Sequence, residues 1–137
     1  MHRVAREIHF CYGHRLLNYD GKCRHLHGHN GKAVITLEAE RLDALGMVVD
    51  FARLKRVVGG WIDEAIDHKM LLHRDDPVLA YLRAQGEPVF VMNVNPTAEN
   101  IARLIYEYAA AQGFPVVEVQ LWETDACQAS YRSSPGL

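Results

Sequence analysis

Apolar and polar positions alternate from the start of the chain. Ile8, Phe10, Tyr12 and His14 share one parity, which predicts a strand over residues 3–13. The polar stretch Asn18-Tyr19-Asp20-Gly21-Lys22 is rich in turn residues and predicts a loop. The next alternation is clearer. Gly31, Ala33, Ile35, Leu37 and Ala39 fall on one face, and Lys32, Thr36, Glu38 and Glu40 on the other. One dry face and one wet face mark an antiparallel sheet. The period then changes to that of a helix. Asp50 is placed to cap it, and Leu54, Val57, Val58, Trp61, Ile62, Ala65 and Ile66 form its apolar stripe, which stops near Asp67-His68. A short helix is predicted from Pro77 to Ala84, with Gly86 after it. Val89–Val94 reads as a strand. Thr97 is the N-cap of a helix with Glu99 in its first turn, running through Ile101, Ile105 and Tyr108 to Gly113. Val116–Thr124 and Cys127–Arg132 are predicted strands. Strands arrive in adjacent pairs, so the pattern predicts an α+β fold with an antiparallel sheet and helices on one face. An open sheet of this kind leaves two edges, and pairing them with other subunits would close a barrel.

Length and composition narrow the classes. With 137 residues, the chain is expected to be one domain over residues 1–132, with a frayed tail at 133–137 (Ser-Ser-Pro-Gly-Leu). Hydrophobic residues at 49% and charged residues at 23% exclude a disordered chain. No apolar run approaches about 18 residues, so no membrane span is predicted. The opening MHRVAREIHF lacks the apolar stretch of a signal peptide. A formal charge of -2 supplies no global basic field for nucleic acid. Three cysteines without paired spacing predict free thiols in a reducing compartment, hence a cytoplasmic protein.

The histidines stand out: there are eight, and His14, His25, His27 and His29 are crowded together. His27 and His29 lie two apart at the start of the second strand, so they share its inward parity with Ala33, Ile35 and Leu37. His14 continues the inward parity of the first strand at its far end. An antiparallel hairpin brings that end beside His27. Three imidazoles then converge on one inward pocket, a set that suits zinc with a fourth position left open. The competing reading is of solvated or packed core histidines, but lone histidines suit it better than an H-x-H facing a third. His25 lies nearest the loop and is placed outside the ligand set.

Other polar groups carry two readings each. Cys23 is either a fourth ligand closing a structural site or an acid/base thiol whose pKa falls from about 8.5 beside an electropositive centre. A third reading makes it an inert loop cysteine. Asp67-His68 is either a proton-transfer pair or a helix end favoured by the dipole. Glu123 ends a strand whose inward parity is Val117, Val119 and Leu121. A carboxylate there is paired, functional or frayed into water, and it can accept two hydrogen bonds from an amidine-like edge. Arg15, Lys22, Arg24 and Lys32 against Asp20 give a local excess of positive charge, which predicts an anion-binding flank.

Taken in order, these residues resemble the 6-pyruvoyltetrahydropterin synthase family. The resemblance rests on Phe10-Cys11-Tyr12-Gly13-His14, Cys23-Arg24-His25-Leu26-His27-Gly28-His29, Asp50-Phe51-Ala52-Arg53-Leu54-Lys55, Asp67-His68, Asn95-Pro96-Thr97-Ala98-Glu99-Asn100 and Trp122-Glu123-Thr124. It spans about residue 5 to Arg132. The three residues between Cys23 and His27 make the chain most similar to the bacterial 6-carboxy-5,6,7,8-tetrahydropterin synthases of queuosine and deazapurine biosynthesis. The resemblance implies a tunnelling fold: a four-stranded antiparallel sheet per subunit, a twelve-stranded trimeric barrel, and two trimers stacked into a homo-hexamer with the pocket between subunits. It implies zinc on His14, His27 and His29, with Cys23 as the catalytic thiol and Asp67 and His68 as the acid/base pair. It implies that Glu123 anchors the pterin ring, with Thr97 and Glu99 near the pocket. The implied reaction turns 7,8-dihydroneopterin triphosphate into 6-carboxy-5,6,7,8-tetrahydropterin, acetaldehyde and triphosphate. The chain departs from the family pattern at Tyr12, where a small residue is usual, and over His73–Pro77, a longer stretch than expected. Two alternatives remain: a 6-pyruvoyltetrahydropterin synthase that eliminates triphosphate without losing acetaldehyde, and a non-catalytic zinc-stabilised binding domain.

Overall fold

The computed structural model describes residues 1–133. The expectation of a frayed tail therefore lies, beyond Ser133, outside the described residues. Strand β1 is His2–His14 and β2 is His27–Ala39. They pair antiparallel along their whole length, from His2 opposite Ala39 to His14 opposite His27. The connecting loop contains a short 3-10 turn, Lys22–Arg24. The predicted long helix is continuous but not uniform: α1 (Phe51–Leu54), a π-helical turn (Lys55–Gly59) and α2 (Gly60–Ala65) follow one another. The Asp50 carboxylate caps it by accepting from the Ala52 amide at 2.9 Å. Then come β3 (Lys69–His73), α3 (Val78–Ala84), β4 (Val89–Met92), α4 (Ala98–Ala111), β5 (Val116–Thr124) and β6 (Cys127–Arg132). Gly113 follows α4 with φ +88°, the left-handed conformation that suits glycine at a helix end.

The α+β class holds, but the four-stranded antiparallel sheet does not. The sheet has six strands in the order β4-β3-β1-β2-β5-β6, and β3 runs parallel to both β1 and β4. Five of the six were visible in the hydrophobic pattern; β3 was not, because it has no alternation to betray it. Leu71 and Leu72 are both fully buried, on opposite faces. Leu71 enters the main core, whereas Leu72 joins Leu79 and Leu82 of α3 in a second cluster. Helices on one face therefore describes α1, α2 and α4. Helix α3 covers the other side of β3.

The main core is built from the inward parities. Ile8, Phe10 and Tyr12 of β1 meet Ala33, Ile35 and Leu37 of β2, and Val119 and Leu121 of β5. Leu54, Val58 and Ile62, with Ile101 and Ile105 of α4, close over them. Each such side chain contributes roughly 1.5–3 kcal/mol on burial, which fixes the register of the hairpin that carries the histidines. Among the described residues no helix is long and apolar enough to cross a membrane.

Candidate active site

The β1–β2 register sets His14 opposite His27 and Tyr12 opposite His29. All four side chains leave the same face of the sheet. The three imidazoles converge as expected: each offers one nitrogen, and these atoms lie within 4.8 Å of one another. Ring centroids are 4.5 Å apart for His14 and His27, 5.1 Å for His14 and His29, and 5.2 Å for His27 and His29.

Two rings are held by backbone carbonyls. His14 Nδ1 donates to the Pro96 carbonyl at 2.7 Å, and His27 Nδ1 donates to the His25 carbonyl at 2.7 Å. A carbonyl can only accept, so the proton sits on Nδ1 and the lone pair on Nε2. Such carbonyl contacts orient metal-binding histidines. His14 Nε2 and His29 Nε2 are buried with no hydrogen-bond partner. A buried polar atom left without a partner costs about 1–3 kcal/mol, unless something outside the chain satisfies it. Burial, and the neighbouring His27 and His29, push His14 down to about 4 despite its bond to Pro96. It is therefore neutral at pH 7, the form that binds a cation. The donor set fits a divalent metal held by three imidazoles. Cys23 is not among the converging atoms. His25 stays outside the set, as expected, but its carbonyl orients His27.

The remaining predicted residues divide between two cavities. One, of about 550 Å³, is lined by His14, Cys23, Thr97, Glu99 and Glu123. Cys23 reaches it from the 3-10 turn, which is tied to the segment just after β1 where the Leu16 amide donates to the Cys23 carbonyl at 2.9 Å. Thr97 is occupied as the cap of α4, its hydroxyl accepting from the Asn100 amide at 3.2 Å. Glu123 Oε2 lies 3.9 Å from His29 Nε2. The second cavity, of about 760 Å³, is lined by His27, His29, Cys11 and His68. Asp67 accepts from the Cys11 amide at 2.9 Å through Oδ1, and from His68 Nδ1 at 2.7 Å through Oδ2. Partial burial pushes the Asp67 carboxyl up, but the Cys11 amide, His68 and Lys69 together bring it below its ordinary value. His68 adopts φ +58° and its side chain is 77% exposed, so its Nε2 edge faces outward. Within one chain, Cys23 and His68 thus open into different cavities.

The anion-binding flank is largely engaged within the fold. Arg15 makes a two-pronged pair with Asp76, at 2.8 and 2.5 Å. Arg24 donates to the Asp20 carbonyl at 2.6 Å. Lys32 lies over the Trp122 ring, 5.2 Å from its centroid. Asp76, Pro96 and the His25 carbonyl were not singled out by the sequence. Asp76 alone carried a possible signal, as the acid before the Pro77 helix start.

The sequence profile of the 6-pyruvoyl tetrahydropterin synthase family matches residues 3–134. The 6-carboxy-5,6,7,8-tetrahydropterin synthase of Rickettsia bellii is 38% identical over 134 residues, covering 93% of this chain and 97% of that protein. An uncharacterised protein from Wolinella succinogenes has a solved structure with TM-score 0.76 and 30% identity, covering 97% of this chain and 98% of that one. The structure of the Caenorhabditis elegans 6-pyruvoyl tetrahydropterin synthase shares the fold, with TM-score 0.72 at 24% identity over 96% and 95% of the two chains. Profile, relatives and fold agree over nearly the whole chain, and it belongs to the 6-pyruvoyl tetrahydropterin synthase family.

Proposed function

We propose that the chain is a zinc-dependent lyase, a 6-carboxy-5,6,7,8-tetrahydropterin synthase. It converts 7,8-dihydroneopterin triphosphate to 6-carboxy-5,6,7,8-tetrahydropterin, acetaldehyde and triphosphate, for queuosine or deazapurine synthesis in the cytoplasm. The observation that carries the reading is the pair of buried, unpartnered imidazole nitrogens, His14 Nε2 and His29 Nε2, beside the cavity that holds Cys23 and Glu123.

His14, His27 and His29 hold the metal. When bound, zinc polarises the oxygens of the substrate side chain, so that neighbouring protons become removable. The chain's own groups do the rest. Glu123 accepts two hydrogen bonds from the amidine-like edge of the pterin ring, with Thr97 and Glu99 lining the same cavity. Cys23 Sγ moves one proton. His68 moves another from Nε2, with Asp67 accepting from Nδ1 and so fixing the orientation of the ring. Cys23 and His68 open into different cavities of one chain, which favours a pocket between subunits where a second copy supplies one of the two. The assembly proposed for that pocket is a homo-hexamer of two stacked trimers.

Incubating zinc-loaded protein with dihydroneopterin triphosphate and identifying the products tests the reading. Acetaldehyde with the 6-carboxy product is expected. A 6-pyruvoyl product without acetaldehyde would replace it by the pyruvoyl synthase reading. Tight zinc with no turnover would leave a zinc-stabilised binding domain.

A further inference from the structure

Among the described residues, three buried side-chain polar atoms lack a hydrogen-bond partner: His14 Nε2, His29 Nε2 and the Tyr12 hydroxyl. The first two belong to the candidate metal centre. The third belongs to the same square of side chains, because Tyr12 stands opposite His29 and two residues from His14 on one face of β1 and β2. Its ring is 5.2 Å from that of His14 and 5.6 Å from that of His29. Tyr12 is 3% exposed, so bulk solvent does not reach the phenol.

The neighbouring strand makes room for this ring. A Cβ built on Gly31 would lie 2.9 Å from Tyr12 Cε1, so the ring leans across β2 at the one inward position there without a side chain. Phe10 stacks on the ring at 5.4 Å and offers no acceptor, and the Glu123 carboxylate acts on the phenol through space without hydrogen-bonding it. A phenol is both donor and acceptor, and a buried one left without a partner in the chain calls for a partner from outside it.

We infer that Tyr12 contacts the molecule bound at the three-histidine centre, its hydroxyl donating a hydrogen bond to an oxygen of that ligand. It thereby selects for ligands that place an oxygen there. The identity of the natural ligand rests on the proposed function; the contact itself rests on the unpartnered hydroxyl.

The test uses cobalt(II) in place of the native metal and acetate as a simple oxygen ligand, followed in the visible spectrum. Tyr12→Phe should take up cobalt like the wild type and bind acetate about tenfold more weakly, the scale of one lost hydrogen bond. Equal acetate affinity in the two proteins would overturn the inference. Thermal melting of the metal-free proteins supplies a second readout. A hydroxyl without a partner in the fold predicts that Tyr12→Phe melts at or above the wild type. A drop of several degrees, or failure to fold, would overturn the inference by making the hydroxyl a structural group. Titration with neopterin separates the two readings. If neither protein binds it while the acetate difference stands, the proposed function falls and the inference survives. A wild-type chain that takes up no cobalt would overturn both.

Discussion

Metal-free protein should lose stability as pH falls from 7.5 toward 4, with His14 setting the window. Its ring is 2% exposed and lies beside two other imidazoles. Burial, reinforced by His27 and His29, lowers its pKa from 6.5 to about 4. Between those values the unfolded chain binds a proton that the folded chain refuses, so stability rises with pH there. The contribution is complete above about pH 7 and is lost as pH falls from 6.5 through 4. At 1.36 kcal/mol per pH unit the full effect is about 3 kcal/mol, of which about 2 kcal/mol is gone by pH 5. The comparison is with His14→Gln, which keeps a polar side chain but has no proton to gain, so that contributions common to both proteins cancel. Urea unfolding of both metal-free proteins at one chain concentration, from pH 7.5 to pH 5, isolates the term. The stability difference between them should move by about 2 kcal/mol against the wild type over that range. A difference that stays constant, or a ring proton of His14 that titrates near 6.5 by NMR, would refute the reasoning.

Further outcomes follow from the same geometry. Cys23→Ala should remain folded and metal-loaded while turnover falls at least about 10²-fold; metal analysis beside steady-state rates checks it, and lost metal would make Cys23 a ligand. Glu123→Gln keeps the shape but removes a charge-assisted pair worth roughly 1.5–3 kcal/mol, so pterin binding by fluorescence titration should weaken about tenfold to a hundredfold. Asp76 is 3% exposed and also accepts from the Val78 amide at the start of α3. Asp76→Ala, which strands the Arg15 guanidinium, should cost about 3–5 kcal/mol in chemical unfolding, and a loss under 1 kcal/mol would show the pair to be solvated. Light scattering in dilute buffer should report six chains, and a fully active monomer would contradict the shared pocket.

The hairpin and its three histidines were legible in the sequence because alternation encodes both the face and the register. Once Ala33, Ile35 and Leu37 point inward, His27 and His29 must follow. The capped helices were legible for a similar reason, since Asp50 and Thr97 announce themselves by residue type. Strand β3 was not. A five-residue strand buried on both faces, Lys-Met-Leu-Leu-His, has no period to detect, and its parallel pairing to β1 depends on a turn at Asp67-His68. The charge of the 15–32 stretch misled for another reason. Counting basic residues ignores Asp76, which neutralises Arg15 from 61 positions away. The carbonyls of Pro96 and His25, which decide the histidine tautomers, belong to the backbone and leave no mark in residue type.

The second hydrophobic cluster bears on motion. Leu72 of β3 and Leu79 and Leu82 of α3 form it with Val89 and Val91 of β4 packed against them, Leu71 and Met92 reach the main core, and β3 joins β1 through Tyr12–Lys69, Gly13–Met70 and His14–Leu71. A small satellite core with so short a seam has the makings of a cooperative unit that opens below the global unfolding free energy. The chain enters it through Asp67-His68, and the last rung of its seam is His14 itself. Amide exchange over residues 69–92 should therefore report metal occupancy at a distance. Metal binding locks His14 in place and raises the cost of parting β3 from β1, so protection in this segment should increase on metal loading more than in β5 and β6.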